Sequence, residues 1–220
     1  MYLIKTPGFI QSLFPSFTWR LPGDEKRVFL TFDDGPIPEV THWVLDLLNE
    51  YKAKATFFCV GENIERYPEV FETVVEQGHA VGNHTYNHLS GWATDRLPYF
   101  LNIRKCAQLV KSELFRPPYG KLRPSQVQFL QRHYNIVMWD VLSADFDSDL
   151  SGEQCAKNVL RSVKPGSIVV FHDSLKAEKN LKHALPIVLE RLAGEGYSFE
   201  SITPELCRGP VGKLVGQLSV

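Results

Sequence analysis

Short apolar runs alternate with amphipathic stretches along most of this chain. Val28 to Phe32 reads as a buried strand, and Val40, Trp43, Val44, Leu47, Leu48 and Tyr51 follow at helical spacing. Ala55 to Val60 is a second apolar run; a turn at Gly61 and a helix start at Pro68 then introduce the stripe Val70, Phe71, Val74 and Val75. The same pattern predicts strands at 79–82, 114–116, 136–139, 168–171 and 197–202, with helices near 96–112, 124–133, 152–163 and 180–194. Ser151 and Gln154 are spaced as a capping box at the start of one of these helices. Strands that are nearly continuous in apolar residues and separated by helices predict a parallel sheet covered by helices.

Chemically loaded residues choose between an open sheet and a barrel. Asp33, Asp34, His84, Arg116, Asp145 and His172 all fall at or just past the ends of different predicted strands. An open sheet gathers its ligands at one switch point, and no Gly-x-Gly-x-x-Gly follows the first strand. The expectation is therefore an α/β fold, a distorted (β/α) barrel of seven or so parallel strands. With no repeat or linker in sight, we expect a single domain over 28–202, an N-terminal segment 1–27 packing on it, and a C-terminal extension 203–220.

Composition adds limits. The length of 220 residues suits one full hydrophobic core, and a net charge of -1 argues against a nucleic-acid partner, which calls for clustered Lys and Arg. Cys59, Cys106, Cys155 and Cys207 are scattered without Cys-x-x-Cys spacing and read as free thiols. Residues from Met1 onward lack a continuous apolar h-region, and no stretch approaches the roughly 20 residues that span a bilayer, so a cytoplasmic location is expected. Phe9, Ile10, Leu13, Phe14, Phe17 and Trp19 read as a segment packing across the bottom of the domain. A weaker second reading is membrane-surface contact, for which Lys5 and Arg20 supply little charge.

Two segments stand out chemically: Thr31-Phe32-Asp33-Asp34-Gly35-Pro36 and Asn83-His84-Thr85-Tyr86-Asn87-His88. Adjacent carboxylates at a strand end, where the chain turns, can both face one cavity, one binding a metal while the other handles protons. Imidazoles four residues apart can share a face of one helical turn, and together with a carboxylate they match a hydrolytic zinc site. These motifs recur with Arg116-Pro117-Pro118-Tyr119-Gly120, Trp139 to Phe146 and Ile168 to Asp173 in an order that resembles the NodB-like polysaccharide deacetylases, carbohydrate esterase family four. The resemblance covers about residues 28–202.

It implies a divalent metal, usually zinc, on Asp34, His84 and His88. Asp33 would be the general base, kept ionised by Arg116. The backbone N–H of Tyr119 would help bind the oxyanion, and His172, paired with Asp145, would protonate the leaving amine. The implied substrate is a carbohydrate with an N-acetylated amino sugar; the alternatives are hydrolysis of another non-peptide C–N bond, or a catalytically inactive carbohydrate-binding module using Trp92, Tyr86 and Tyr119. Phe146, Leu142 and Val170 depart from the family pattern and would reshape an apolar wall around the acyl methyl. His42, His133 and His183 read as solvent-facing, His79 as a local hydrogen-bonding group, and Lys176 and Lys179 as bordering the pocket mouth, where the sharper reading is a phosphate on a lipid- or nucleotide-linked sugar.

Overall fold

A computed structural model describes residues 2–208. In chain order the elements are α1 (Gly8–Leu13), β1 (Phe17–Thr18), β2 (Arg27–Asp33), α2 (Pro38–Glu50), β3 (Thr56–Cys59), α3 (Gly61–Arg66), α4 (Pro68–Glu76), β4 (Ala80–Asn83), α5 (Arg96–Ala107), β5 (Leu114–Phe115), α6 (Pro124–Leu130), β6 (Asn135–Val137), β7 (Val141–Leu142), α7 (Gly152–Leu160), β8 (Ile168–His172), α8 (Glu178–Gly194), β9 (Ser198–Phe199) and α9 (Pro204–Arg208). The strands pair in the order β1-β6-β5-β4-β3-β2-β8-β7, every pair parallel, with β9 added on the start of β2.

Chain connectivity makes this sheet curl. β6 and β7 lie toward opposite ends of the pairing order, yet only Met138, Trp139 and Asp140 separate Val137 from Val141. Four residue steps reach at most about 14 Å, so the two ends must come together. The ring β6-β5-β4-β3-β2-β8-β7 holds seven strands, as expected, although its membership differs. The strand predicted at 197–202 shrinks to β9 beside the start of β2, while Ile202 plugs the base of the barrel with its N–H on the Thr56 hydroxyl at 2.8 Å. The two-residue β7 takes its place in the ring; a run that short carries no period to read.

The N-terminal segment fills the seam between β6 and β7. Lys5 bridges Val141 in antiparallel sense and β1 pairs with β6, while Trp19 and Leu21 are buried. It therefore runs along the wall of the barrel rather than across its bottom. Ile10 and Phe17 pack on the cluster around Phe115 and Ile136, whereas Phe9, Leu13 and Phe14 remain exposed. Among the described residues no helix is long and apolar enough to cross a membrane. Residues 209–220 of the expected extension lie outside the described residues; 204–208 form α9.

Strand alternation sorts the core into layers. Along β2, Val28, Leu30 and Phe32 pack outward with α2 and α8, and Phe29 faces Phe58, Leu114, Val137 and Ile168 in the barrel's lower interior. Thr31 and Asp33 continue that inner row upward. Helix starts follow the expected chemistry in part. Ser151 Oγ accepts the Gln154 N–H at 3.2 Å, but the Gln154 side chain turns to Asn158 instead of closing the box. Gly61 begins α3 instead of forming a turn.

Gly166 locks the seam at the barrel's base. Its φ of +82° favours glycine, and a Cβ there would sit 2.1 Å from the Leu21 carbonyl oxygen. Gly166→Ala is expected to cost about 1–3 kcal/mol, seen as a melting temperature lower by several degrees; an unchanged melting temperature would contradict this packing.

Candidate active site

Asp33 ends β2 and His172 ends β8, in register with each other; Asp34, His84 and Arg116 follow β2, β4 and β5, and Asp145 follows β7. The strand ends thus converge on one cavity of about 500 Å³ that Asp33, Asp34, His84, His88, Tyr119 and His172 all line. Consecutive residues on a strand face opposite ways. Asp34 reaches the cavity beside Asp33 because its φ is +81°, a left-handed conformation that turns it back. Thr85, His88, Tyr119 and Ala144 share this unusual region, so the strain concentrates around the site.

The loop carrying the two imidazoles is not the helical turn that their spacing suggests. Thr85 N–H bonds Asn83 Oδ1 at 2.9 Å and Leu89 N–H bonds Thr85 Oγ1 at 3.1 Å, so side chains rather than helical hydrogen bonds set it. His84 Nδ1 lies 2.8 Å from the Arg116 carbonyl oxygen. A carbonyl only accepts, so Nδ1 carries the proton and Nε2 offers its lone pair. His84 Nε2 and His88 Nε2 face the same oxygen, Asp34 Oδ1, at 3.7 and 3.1 Å.

That oxygen is buried without a hydrogen-bond partner, and one ligand atom from each of Asp34, His84 and His88 falls within 4.8 Å of the others. A buried carboxylate oxygen that faces two imidazole Nε2 atoms and has no donor of its own fits a divalent cation. Burial opposes ionisation of Asp34, but the imidazoles of His88, His172 and His84 around it outweigh that cost and hold the carboxyl well below its ordinary range. Burial also pushes His84 down to about 4, so it stays neutral and able to ligate.

Beneath this cluster lies Arg116, with no exposed surface. Its guanidinium bonds Asp33 Oδ1 and the Thr31 hydroxyl, each at 2.7 Å, and donates to the carbonyls of Val137 at 3.2 Å and Met138 at 3.0 Å. The Phe58 ring lies 4.1 Å below. Burial lowers the pKa of the guanidinium, and Asp33 pulls it back up. On β8, His172 Nδ1 meets Asp145 Oδ1 at 2.7 Å while Asp145 Oδ2 accepts the His172 backbone N–H at 2.8 Å. Burial works against the imidazolium, but Asp145 overrides it and His172 is pushed up to about 9.

Tyr119 lies between Pro118 and Gly120 with φ +61°, its ring edge-on to His88 at 4.7 Å. Leu142, Phe146 and Val170, the residues expected to shape an apolar wall, line the cavity, and Trp139 packs beside them. Lys176 lines the cavity, whereas Lys179 does not. Nor do Trp92 and Tyr86: Trp92 borders a separate apolar groove, and Tyr86 is tied to Glu65 at 2.6 Å. The three aromatic groups of the binding-module alternative are therefore not gathered in one site. His42, His133 and His183 are exposed, His79 Nδ1 accepts the Ala55 N–H at 3.2 Å, and all four cysteines are free.

Asp173 is a residue that sequence reasoning passed over. Its Oδ1 accepts the Gly35 N–H at 3.1 Å and its Oδ2 the Thr41 hydroxyl at 2.6 Å, while its own N–H reaches the Asp33 carbonyl at 3.1 Å. This clamp fixes the loop that presents Asp34. A Cβ on Gly35 would lie 2.0 Å from Asp173 Oδ2, so only glycine fits there. Its place directly after His172 was the available signal.

A parallel barrel carrying one carboxylate and two imidazoles at its strand ends, beside a carboxylate held by a buried arginine, defines a metal-site hydrolase fold. The polysaccharide deacetylase family matches residues 20–137. A peptidoglycan-N-acetylglucosamine deacetylase of Bacillus cereus is 36% identical over 198 residues, which cover 87% of this chain and 92% of the relative. The peptidoglycan-N-acetylglucosamine deacetylase PgdA of Listeria monocytogenes serotype 1/2a is 32% identical over 183 residues, 80% of this chain but 38% of that longer protein. The crystal structure of the Bc1960 peptidoglycan N-acetylglucosamine deacetylase superposes with a TM-score of 0.82 at 30% identity, covering 91% of this chain and 96% of that one. The chain belongs to the polysaccharide deacetylase family.

If Asp34 ligates and Asp33 does not, the two carboxylates separate in one assay. Asp34→Asn or His84→Ala is expected to lose bound metal, measured by elemental analysis after zinc loading, by more than the roughly 10- to 100-fold in affinity that loss of an outer partner costs. Asp33→Asn should keep one metal per chain.

Proposed function

We propose that this protein hydrolyses the N-acetyl group from amino sugars of a polysaccharide, with peptidoglycan-type glycans the favoured substrate class and zinc the favoured metal. The single observation that carries the proposal is the joining of two ion pairs, the buried Asp33–Arg116 and the partly buried Asp145–His172, with the Asp34, His84 and His88 cluster at one cavity. The relatives' names support the substrate class, and two nitrogens with one oxygen suit zinc while leaving further positions for water and substrate.

Asp34, His84 and His88 would hold a divalent ion, which would supply Lewis acidity for the acetamide carbonyl and the attacking water. Arg116 holds one oxygen of Asp33 at 2.7 Å and leaves the other to take a proton from that water. As the carbonyl carbon becomes tetrahedral, its oxygen gains charge, and the backbone N–H of Tyr119 is the donor assigned to it. The wall of Leu142, Val170, Trp139 and Phe146 takes the acetyl methyl.

The amine is a poor leaving group as an anion, so it needs a proton when the C–N bond breaks. His172 carries that proton through neutral pH. Asp145 occupies Nδ1, which leaves Nε2 toward the cavity, and the salt bridge keeps the ring charged. Base and acid thus come from neighbouring strands in register, Asp33 opposite His172.

Acetate release from chitin oligomers and peptidoglycan fragments tests the activity. Asp33→Asn is expected to lower kcat by about 10²- to 10⁴-fold, and near-wild-type turnover would remove Asp33 as base. His172 loses its proton as pH rises toward about 9, so the alkaline limb of kcat/KM reports it. Asp145→Asn removes the charge that raises His172 and is expected to move that limb to lower pH by about one unit or more; an unmoved limb would contradict the acid assignment.

A further inference from the structure

Residue 2 reaches the catalytic cavity. Ile4 accepts the Leu142 N–H at 2.8 Å, and Thr6 gives its N–H to Asp140 at 3.0 Å and its hydroxyl to the Trp139 carbonyl at 2.9 Å. Residues 4–6 therefore run antiparallel along β7, whose far end leads to Asp145 and Phe146. A strap in that sense places its earliest residues at the same end of the barrel as the site. Tyr2 lines the cavity there with Phe146, Lys176 and His172.

Two contacts fix the Tyr2 ring. It stands edge-on to Phe146, centroids 5.2 Å apart at 70°, and its hydroxyl donates to Asp147 Oδ2. Phe146 in turn stands edge-on to His172 at 5.1 Å. None of the proton transfers uses Tyr2, and the residue keeps 39% of its surface exposed. What the arrangement offers is a partly exposed aromatic ring with the Asp147 carboxylate on its hydroxyl and the Lys176 ammonium 5.7 Å from the neighbouring Phe146 ring. That matches a pyranose, which presents C–H groups on its faces and hydroxyls around its edge, and a tyrosine gives such contact at little cost in rotamer freedom.

We propose that Tyr2 is a specificity-determining residue: its ring, set by Phe146 and Asp147, is the wall on which a substrate sugar packs beside the scissile acetamide. The proposal rests on the deacetylase reading, and two measurements keep the two apart. In steady-state acetate release from an N-acetylglucosamine oligomer by the zinc-loaded enzyme, Tyr2→Ala is expected to raise KM about fivefold or more and to lower kcat by a smaller factor. Tyr2→Phe, which keeps the ring, should recover most of the loss. Calorimetric binding of the same oligomer to the Asp33→Asn protein should show Kd rising by the same factor when Tyr2→Ala is added.

An unchanged Kd would overturn the proposal. So would a fall in kcat at constant KM with a shifted alkaline limb, because Tyr2 would then act through Phe146 on His172. If the wild-type protein released no acetate while Kd still depended on Tyr2, the deacetylase reading would fail and the sugar wall would stand.

Discussion

The contact on which this site depends is the ion pair of Arg116 and Asp33 inside the barrel. A guanidinium with no exposed surface costs several kcal/mol to bury unless its donors are met, and removing one partner of such a pair typically costs about 3–5 kcal/mol. Here Thr31, Asp33, Val137 and Met138 meet it, and Phe58 lies beneath. These residues come from β2, β3 and the β6 strand end, so the arginine ties distant parts of the ring together. The same pair hands Asp33 to the cavity with one oxygen already spoken for. The Arg116 carbonyl also orients His84, which links the buried pair to the metal-site donors above it.

Closure of the ring follows from how short the step between β6 and β7 is. Because that step leaves a gap in the pairing, the N-terminal segment fills it with β1 on one side and residues 4–6 on the other. Asp140 sits in the step and fastens both sides: its carboxylate accepts from Ser167 and Ile168, and Arg20 lies 3.2 Å away. Burial raises its pKa to about 6 despite those bonds. The wall that completes the barrel is therefore also the support of the loop that carries Asp145 and Phe146.

Much of this was legible in the sequence because it depends on period and order. β2, β3 and β8 are long enough for their apolar runs to show, and the motifs name Asp33, Asp34, His84, His88, Tyr119 and His172, which line one cavity, together with Arg116 and Asp145, which are buried behind it on Asp33 and His172. What stayed hidden depends on contacts between remote segments. β1 and β7 hold two residues each, and nothing local marks them as strands. The His84 to His88 loop has helical spacing but is set by Asn83 and Thr85 side chains. Tyr2 reads as one more aromatic until the strap along β7 brings it 145 residues forward to Asp147.

The proposed chemistry requires Asp34, His84 and His88 to grip one divalent ion. Anomalous diffraction at the zinc edge from zinc-loaded crystals tests it most directly. A single peak is expected at about 2.0–2.2 Å from both imidazole Nε2 atoms and an Asp34 oxygen. A peak held by other side chains, or none at this cluster, would contradict it.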